Sequence, residues 1–168
     1  MQLNLTAPIN QLGYGVVGSN IFLSLVKQGH DITLWPLSLD GVEEKDAKIY
    51  QKAIDNQETY SKLADSVKIW HQFALAQHVG KGRHVGFPIF ELNKFRPMER
   101  RQIETQDIVL VCSEWAKQVV LAETNQTNVS IVPLGVDRTI FHEKTLSSNM
   151  DTNSPLMKDL LAAKSKNT

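Results

Sequence analysis

The chain has 168 residues, 42% of them hydrophobic, and its 18 basic and 18 acidic side chains leave no formal net charge. A chain of this size buries roughly 70% of its unfolded surface, enough for one well-cored domain and a tail, and its charge balance excludes a global attraction to nucleic acid or to an anionic membrane. The single cysteine, Cys112, excludes an internal disulfide and any multi-cysteine metal cluster; no apolar run approaches the roughly 18 residues of a spanning helix and no signal pattern opens the chain, so a cytoplasmic setting is expected.

Apolar runs alternate with helical patterns along most of the length. Leu3 to Ala7 predicts a first strand, and Val16 to Gln28 predicts a helix with Val17, Ile21, Leu25 and Val26 on one side and Gly29 as its C-terminal cap. Ile32 to Trp35 reads as the second strand. Residues 45 to 63 place Ile49, Ala53, Ile54, Tyr60 and Leu63 on one face, which predicts one helix or two short ones. Val67 to Trp70 and His84 to Phe90 read as two more strands, separated by a Gly- and His-rich segment.

A short helix is expected from Pro97, a residue suited to a first turn, to a point before Asp107. Ile108 to Cys112 is a continuous apolar strand of the kind buried on both faces of a parallel sheet, which makes Cys112 a structural thiol. Ser113 is placed to cap a helix over Glu114 to Glu123, with Glu114 where the helix dipole favours a negative charge. Val129 to Val132 is the last strand. The alternation predicts a doubly wound α/β fold with a mainly parallel, Rossmann-like sheet of about six strands over residues 1–142. Residues 143–168 read as a polar linker followed by a short amphipathic helix carrying Leu156, Met157, Leu160 and Leu161.

Gly13-Tyr14-Gly15-Val16-Val17-Gly18 matches the G-x-G-x-x-G pattern, which raises a nicotinamide-dinucleotide (NAD(P)) oxidoreductase domain. Two positions argue against it. Pro8 to Leu12 separate the first glycine from the first strand, and Trp35 and Pro36 stand where an acidic residue would bind the ribose. A plain structural reading, in which the glycines only turn the chain, stays open.

Four segments in order carry a resemblance to a known family. They are the glycine loop; Gly86-Phe87-Pro88-Ile89-Phe90-Glu91-Leu92-Asn93-Lys94-Phe95; Asp107-Ile108-Val109-Leu110-Val111-Cys112-Ser113-Glu114-Trp115; and Val129 to Val132 running into Pro133-Leu134-Gly135-Val136-Asp137, with Phe141 beyond. Together they resemble the N-terminal, acceptor-side domain of the GT-B glycosyltransferases of retaining family 4, enzymes of carbohydrate metabolism. The resemblance implies a nucleotide-sugar donor, a glycan or other hydroxyl acceptor, and no resident metal or cofactor. It also implies that the last segment is a hinge, with Gly135 and Asp137 in its turn, leading to a donor domain too large for the residues that remain. The chain is then expected to be inactive by itself and to need a donor-domain partner or a second copy. A non-catalytic sugar-, nucleotide- or protein-binding remnant is the alternative.

By the same resemblance Gly13 and Gly15 are expected nearest the donor phosphates with Tyr14 as a wall, and Glu91 as the catalytic side chain at the strand end where open α/β sheets bind ligands; His71, just after the strand ending at Trp70, is expected to border the cleft. Glu91 would accept a hydroxyl hydrogen bond or orient an attacking hydroxyl; a helix cap or an ion pair with Lys94 or Arg96 is the bland alternative. His71, His78 and His84 lack the spacing of a metal site. Lys81, Arg83 and His84 form a small basic cluster that reads as a solvated loop.

Overall fold

In the computed structural model, which describes residues 1–136 and 138, the first strand, β1, runs Gln2–Ile9 and is buried from Leu3 onward. Leu3, Leu5, Ala7 and Ile9 lie on one face, and Asn4, Thr6 and Pro8 on the other. Helix α1 (Gly13–Lys27) follows, then β2 (Asp31–Leu39), α2 (Ala47–Asp55) with a 3-10 turn at Asn56–Thr59, and β3 (Asp65–Trp70). The second half runs β4 (His84–Pro88), α3 (Pro97–Glu104), β5 (Ile108–Val111), α4 (Glu114–Glu123) and β6 (Val129–Ile131).

The six strands form one sheet in the order β2-β1-β3-β4-β5-β6, and every pairing is parallel. This is the expected doubly wound α/β, Rossmann-like architecture. Its two faces carry separate cores. On one, Leu5, Ile32, Leu34 and Ile69 pack with Phe22 of α1 and with Tyr50 and Ala53 of α2. On the other, Val109, Val111 and Val129 pack with Ile103 of α3 and with Ala116, Val119 and Val120 of α4. Strand β5 serves both, because Leu110, with Cys112 just past the strand end, joins the first core while Val109 and Val111 belong to the second.

Several element boundaries differ from the sequence expectation. Helix α1 begins at Gly13 and not near Val16, since packing against β1 outweighs the low helix propensity of glycine. A Cβ at Gly18 would overlap the carbonyl oxygen of Pro8 and stand 3.1 Å from the Ala7 Cβ; one at Gly15 would lie 2.5 Å from the Asn10 carbonyl oxygen. Gly13 has open space around it. Strand β2 continues through Pro36 to Leu39 because it is an edge strand and because the β1/β2 register shifts between Ala7 and Pro8, where a missing proline N–H is tolerated. Asp40 therefore follows the end of β2, where the sequence reading had put Trp35 and Pro36. On α2 the buried face is Tyr50 and Ala53; Ile49 and Leu63, expected to be covered, are exposed. Gly29 ends α1 in the left-handed region, φ 81°, as expected of a cap.

Strands β2, β1 and β3 turn polar side chains to the second face: Thr33, Asn4, Thr6, Ser66 and Lys68 are all buried. The irregular segment between β3 and β4 supplies partners for Ser66 and Lys68, while Asn4 Nδ2 donates to the Ser61 carbonyl ahead of β3 at 3.1 Å. Lys68 Nζ donates to the Gln77 carbonyl at 3.1 Å, and burial lowers its pKa. Gln106 Nε2 donates to the Gln102 carbonyl, so its Oε1 is free to accept from His78 Nε2 at 2.6 Å. His78 Nδ1 then accepts from the Ser66 hydroxyl at 3.2 Å. His84 stacks on the His78 ring at 4.5 Å. The basic cluster has structural uses, since Arg83 pairs with Asp65 and the His84 N–H donates to Asp107.

Met1–Leu134 form one compact unit; Gly135 and Val136, beyond it, are exposed. Asp137, Phe141, the linker and the amphipathic helix expected after residue 142 lie outside the described residues.

Gly18→Ala should destabilise the chain by about 2 kcal/mol, because the Pro8 backbone must move, while Gly13→Ala should change stability by less than about 0.5 kcal/mol; urea unfolding compares the two. The His78 pKa is lowered to about 4, chiefly by burial and against the Gln106 hydrogen bond. Unfolded His78 takes up its proton near 6.5, so the unfolded state binds more protons between these values and stability falls as pH drops from about 6.5 towards 4. Denaturation midpoints across that window should show a shallower slope in His78→Asn.

Candidate functional site

The chain leaves β1 for β2 on one side and returns to β3 on the other, so the sheet has its topological switch point at the carboxyl ends of β1 and β3. Open α/β sheets bind ligands at such a crevice. A cavity of about 630 Å3 lies there, lined by Gly13, Tyr14 and Val17 of α1, by His71 and Gln72 after β3, by Ile89 to Leu92 after β4, and by Leu134. That volume falls in the range of small-molecule sites, and most of the wall is apolar.

The entry to α1 is open. Leu12 occupies the N-cap position with extended backbone angles, and among the described residues no side chain accepts from the first-turn N–H groups. Asn10 is spent elsewhere: its Oδ1 accepts from the Leu12 N–H at 2.9 Å and its Nδ2 donates to Ser38. Its side chain also fills the space beside Gly15. Of the two glycines expected near phosphate, Gly13 lines the cavity and Gly15 is buried away from it.

Tyr14 joins three elements. Its hydroxyl donates to the Ile89 carbonyl at 2.5 Å, and its ring packs on His71 at 4.4 Å and on Trp70 at 5.7 Å. His71 in turn stacks on Phe73 at 4.9 Å. Burial raises the Tyr14 pKa, and the negative charge of Glu91 raises it further. Glu91 is exposed on the cavity wall. Among the described residues it has no hydrogen-bond or ion-pair partner, and neither Lys94 nor Arg96 pairs with it. The cap of α3 comes from Glu99, whose Oε2 accepts from the Arg96 N–H at 2.7 Å.

The structure thus brings Gly13, Tyr14, His71 and Glu91 to one cavity. It adds Gln72, which sequence reasoning missed. Gln72 is buried, lines the cavity, and donates from Nε2 to Glu99 Oε1 at 3.2 Å. Its 27-residue separation from Glu99 left no local signal. Gly135 lies outside the lining.

No family model matches the chain, and no curated protein or solved structure does either.

Removing the Tyr14 hydroxyl in Tyr14→Phe leaves the Ile89 carbonyl without its donor and should cost about 1 kcal/mol in thermal or urea unfolding. Ultraviolet pH titration against the wild type should show that the missing phenol is one ionising above the ordinary tyrosine range.

Proposed function

We propose that this chain is the acceptor-side half of a GT-B-type glycosyltransferase, which moves a sugar from a nucleotide-activated donor to an acceptor hydroxyl. The observation that carries this reading is the convergence, in one open cavity at the switch point, of an uncapped helix N-terminus with an exposed carboxylate. First-turn N–H groups and the helix dipole favour a phosphate oxygen, and Gly13 leaves room for its approach. Glu91 accepts the hydrogen bond of the attacking hydroxyl and orients it, while His71 and Tyr14 form a wall for the sugar.

Stabilising a departing diphosphate is a large share of catalysis in such a reaction. Among the described residues neither lysine nor arginine lines the cavity. The positive charge then comes from a donor domain beyond the described residues, and the acceptor-side domain by itself turns over little or nothing.

One observation favours the dinucleotide reading as a second choice: Asp40 directly follows β2, the position of a ribose-binding acid. Against it, Asn10 fills the space beside Gly15 through which a pyrophosphate would approach.

Calorimetric titration with nucleotide sugars, free nucleotides and nicotinamide cofactors, beside a sugar-transfer assay, separates these readings. Weak, millimolar binding of nucleotide sugars without transfer is expected. Micromolar binding with turnover would overturn the half-enzyme argument. Micromolar binding of a nicotinamide cofactor would install the second reading, and silence towards every nucleotide would leave a non-catalytic remnant.

A further inference from the structure

We infer that the acceptor taken by this cleft is a neutral, polyhydroxylated molecule, an unphosphorylated sugar by class, which donates hydroxyl hydrogen bonds to Gln72 and Glu91. The inference rests on the glycosyltransferase reading and narrows its substrate.

Gln72 is 6% exposed yet lines the cavity. A buried amide needs partners at both of its ends. Its nitrogen end is committed to Glu99 Oε1, and the other oxygen of Glu99 is held by the Arg96 N–H at the start of α3. An ionised carboxylate only accepts, so the Gln72 amide cannot be turned round, and the end left for the cavity is its carbonyl oxygen. That oxygen accepts from no described residue and keeps some contact with solvent, which leaves it open to a ligand in the cavity. Glu91 offers two more acceptor oxygens on the same wall. The third acceptor nearby, the Ile89 carbonyl, is occupied by Tyr14.

Hydroxyl groups can serve this acceptor set because each donates. A phosphate or carboxylate cannot, and it would also face the Glu91 charge with neither lysine nor arginine in the described lining to offset it. Val17, Phe90 and Leu92 supply apolar wall for the C–H face of a sugar ring. The open N–H groups at Gly13 are a different resource, one suited to the donor's diphosphate.

The test is an amide-detected NMR titration of the full chain with glucose, galactose, mannose and N-acetylglucosamine, each beside its 6-phosphate. At least one neutral sugar is expected to shift the Gln72 side-chain amide, with its 6-phosphate binding about tenfold more weakly. Glu91→Gln should narrow that preference to under about threefold, and Gln72→Met should weaken the neutral sugar about threefold to tenfold. Glu91 is exposed, so its variant reports even if Gln72→Met unfolds. Equal or tighter binding of the 6-phosphates by the wild type would overturn the neutral class and leave the glycosyltransferase reading standing. Sugars of neither kind reaching the Gln72 amide would overturn the neutral-sugar acceptor and leave the glycosyltransferase reading to the nucleotide-sugar titration.

Discussion

The close approach of α1 to the end of β1 is the constraint on which the rest of the cleft depends. Gly18 lies against the Pro8 backbone and Gly15 against Asn10, so the helix comes nearer the sheet than any side chain would allow. That approach sets where Tyr14 stands. From there its hydroxyl reaches the Ile89 carbonyl and its ring reaches His71. One helix start thereby fixes the ends of β3 and β4 relative to β1, and Glu91 inherits its position through Ile89. The glycines that look like a phosphate-binding signature serve first as packing surfaces, and Gly13 alone among the three has open space beside it.

The second constraint is the polar underside of the sheet. Asn4, Thr6, Ser66 and Lys68 are buried where apolar side chains would suit a covering helix. An irregular segment covers them instead, and its backbone comes close: Gly82 packs on the Ala64 carbonyl, and Gly80 has the left-handed φ of 86° beside the Lys62 carbonyl. Loop backbone can answer buried polar side chains with its own carbonyls, which a helix has already committed internally. The Gln77 carbonyl does this for the Lys68 ammonium. Thr6 Oγ1 is the buried side-chain atom left without a partner among the described residues. The same segment begins with His71 and Gln72, so the polar underside and the cleft share one piece of chain.

Much of the fold was legible because local signals and tertiary needs agreed. Ser113 caps α4 with a 3.2 Å bond to the Ala116 N–H, and the helix has the expected bounds. Pro97 opens α3, and the unbroken apolar run Ile108 to Val111 is a strand that feeds both cores. Misreadings came where tertiary context won. Gly13 and Gly15 fall outside the expected helix and Pro36 outside the expected strand, yet packing of α1 on β1 recruited the glycines and an edge position with a register shift accommodated the proline. The cleft was legible only in part. Glu91 and His71 were found because strand ends are where ligands bind, but Gln72 depends on Glu99 and Tyr14 on Ile89, pairs 27 and 75 residues apart with no periodic trace.

Strand β2, with Pro36 and a shifted register, has a further consequence for how the molecule meets other chains. Among the described residues it forms one border of the sheet, and β6, three residues long, forms the other. A border with a missing donor and an irregular twist is a poor template for an added strand, and one of three residues offers few ladder bonds. Growth of the sheet from copy to copy, the usual route to amyloid-like stacking, is blunted at both margins. Among the described residues, the sheet therefore offers an approaching chain its side chains and not an open backbone ladder.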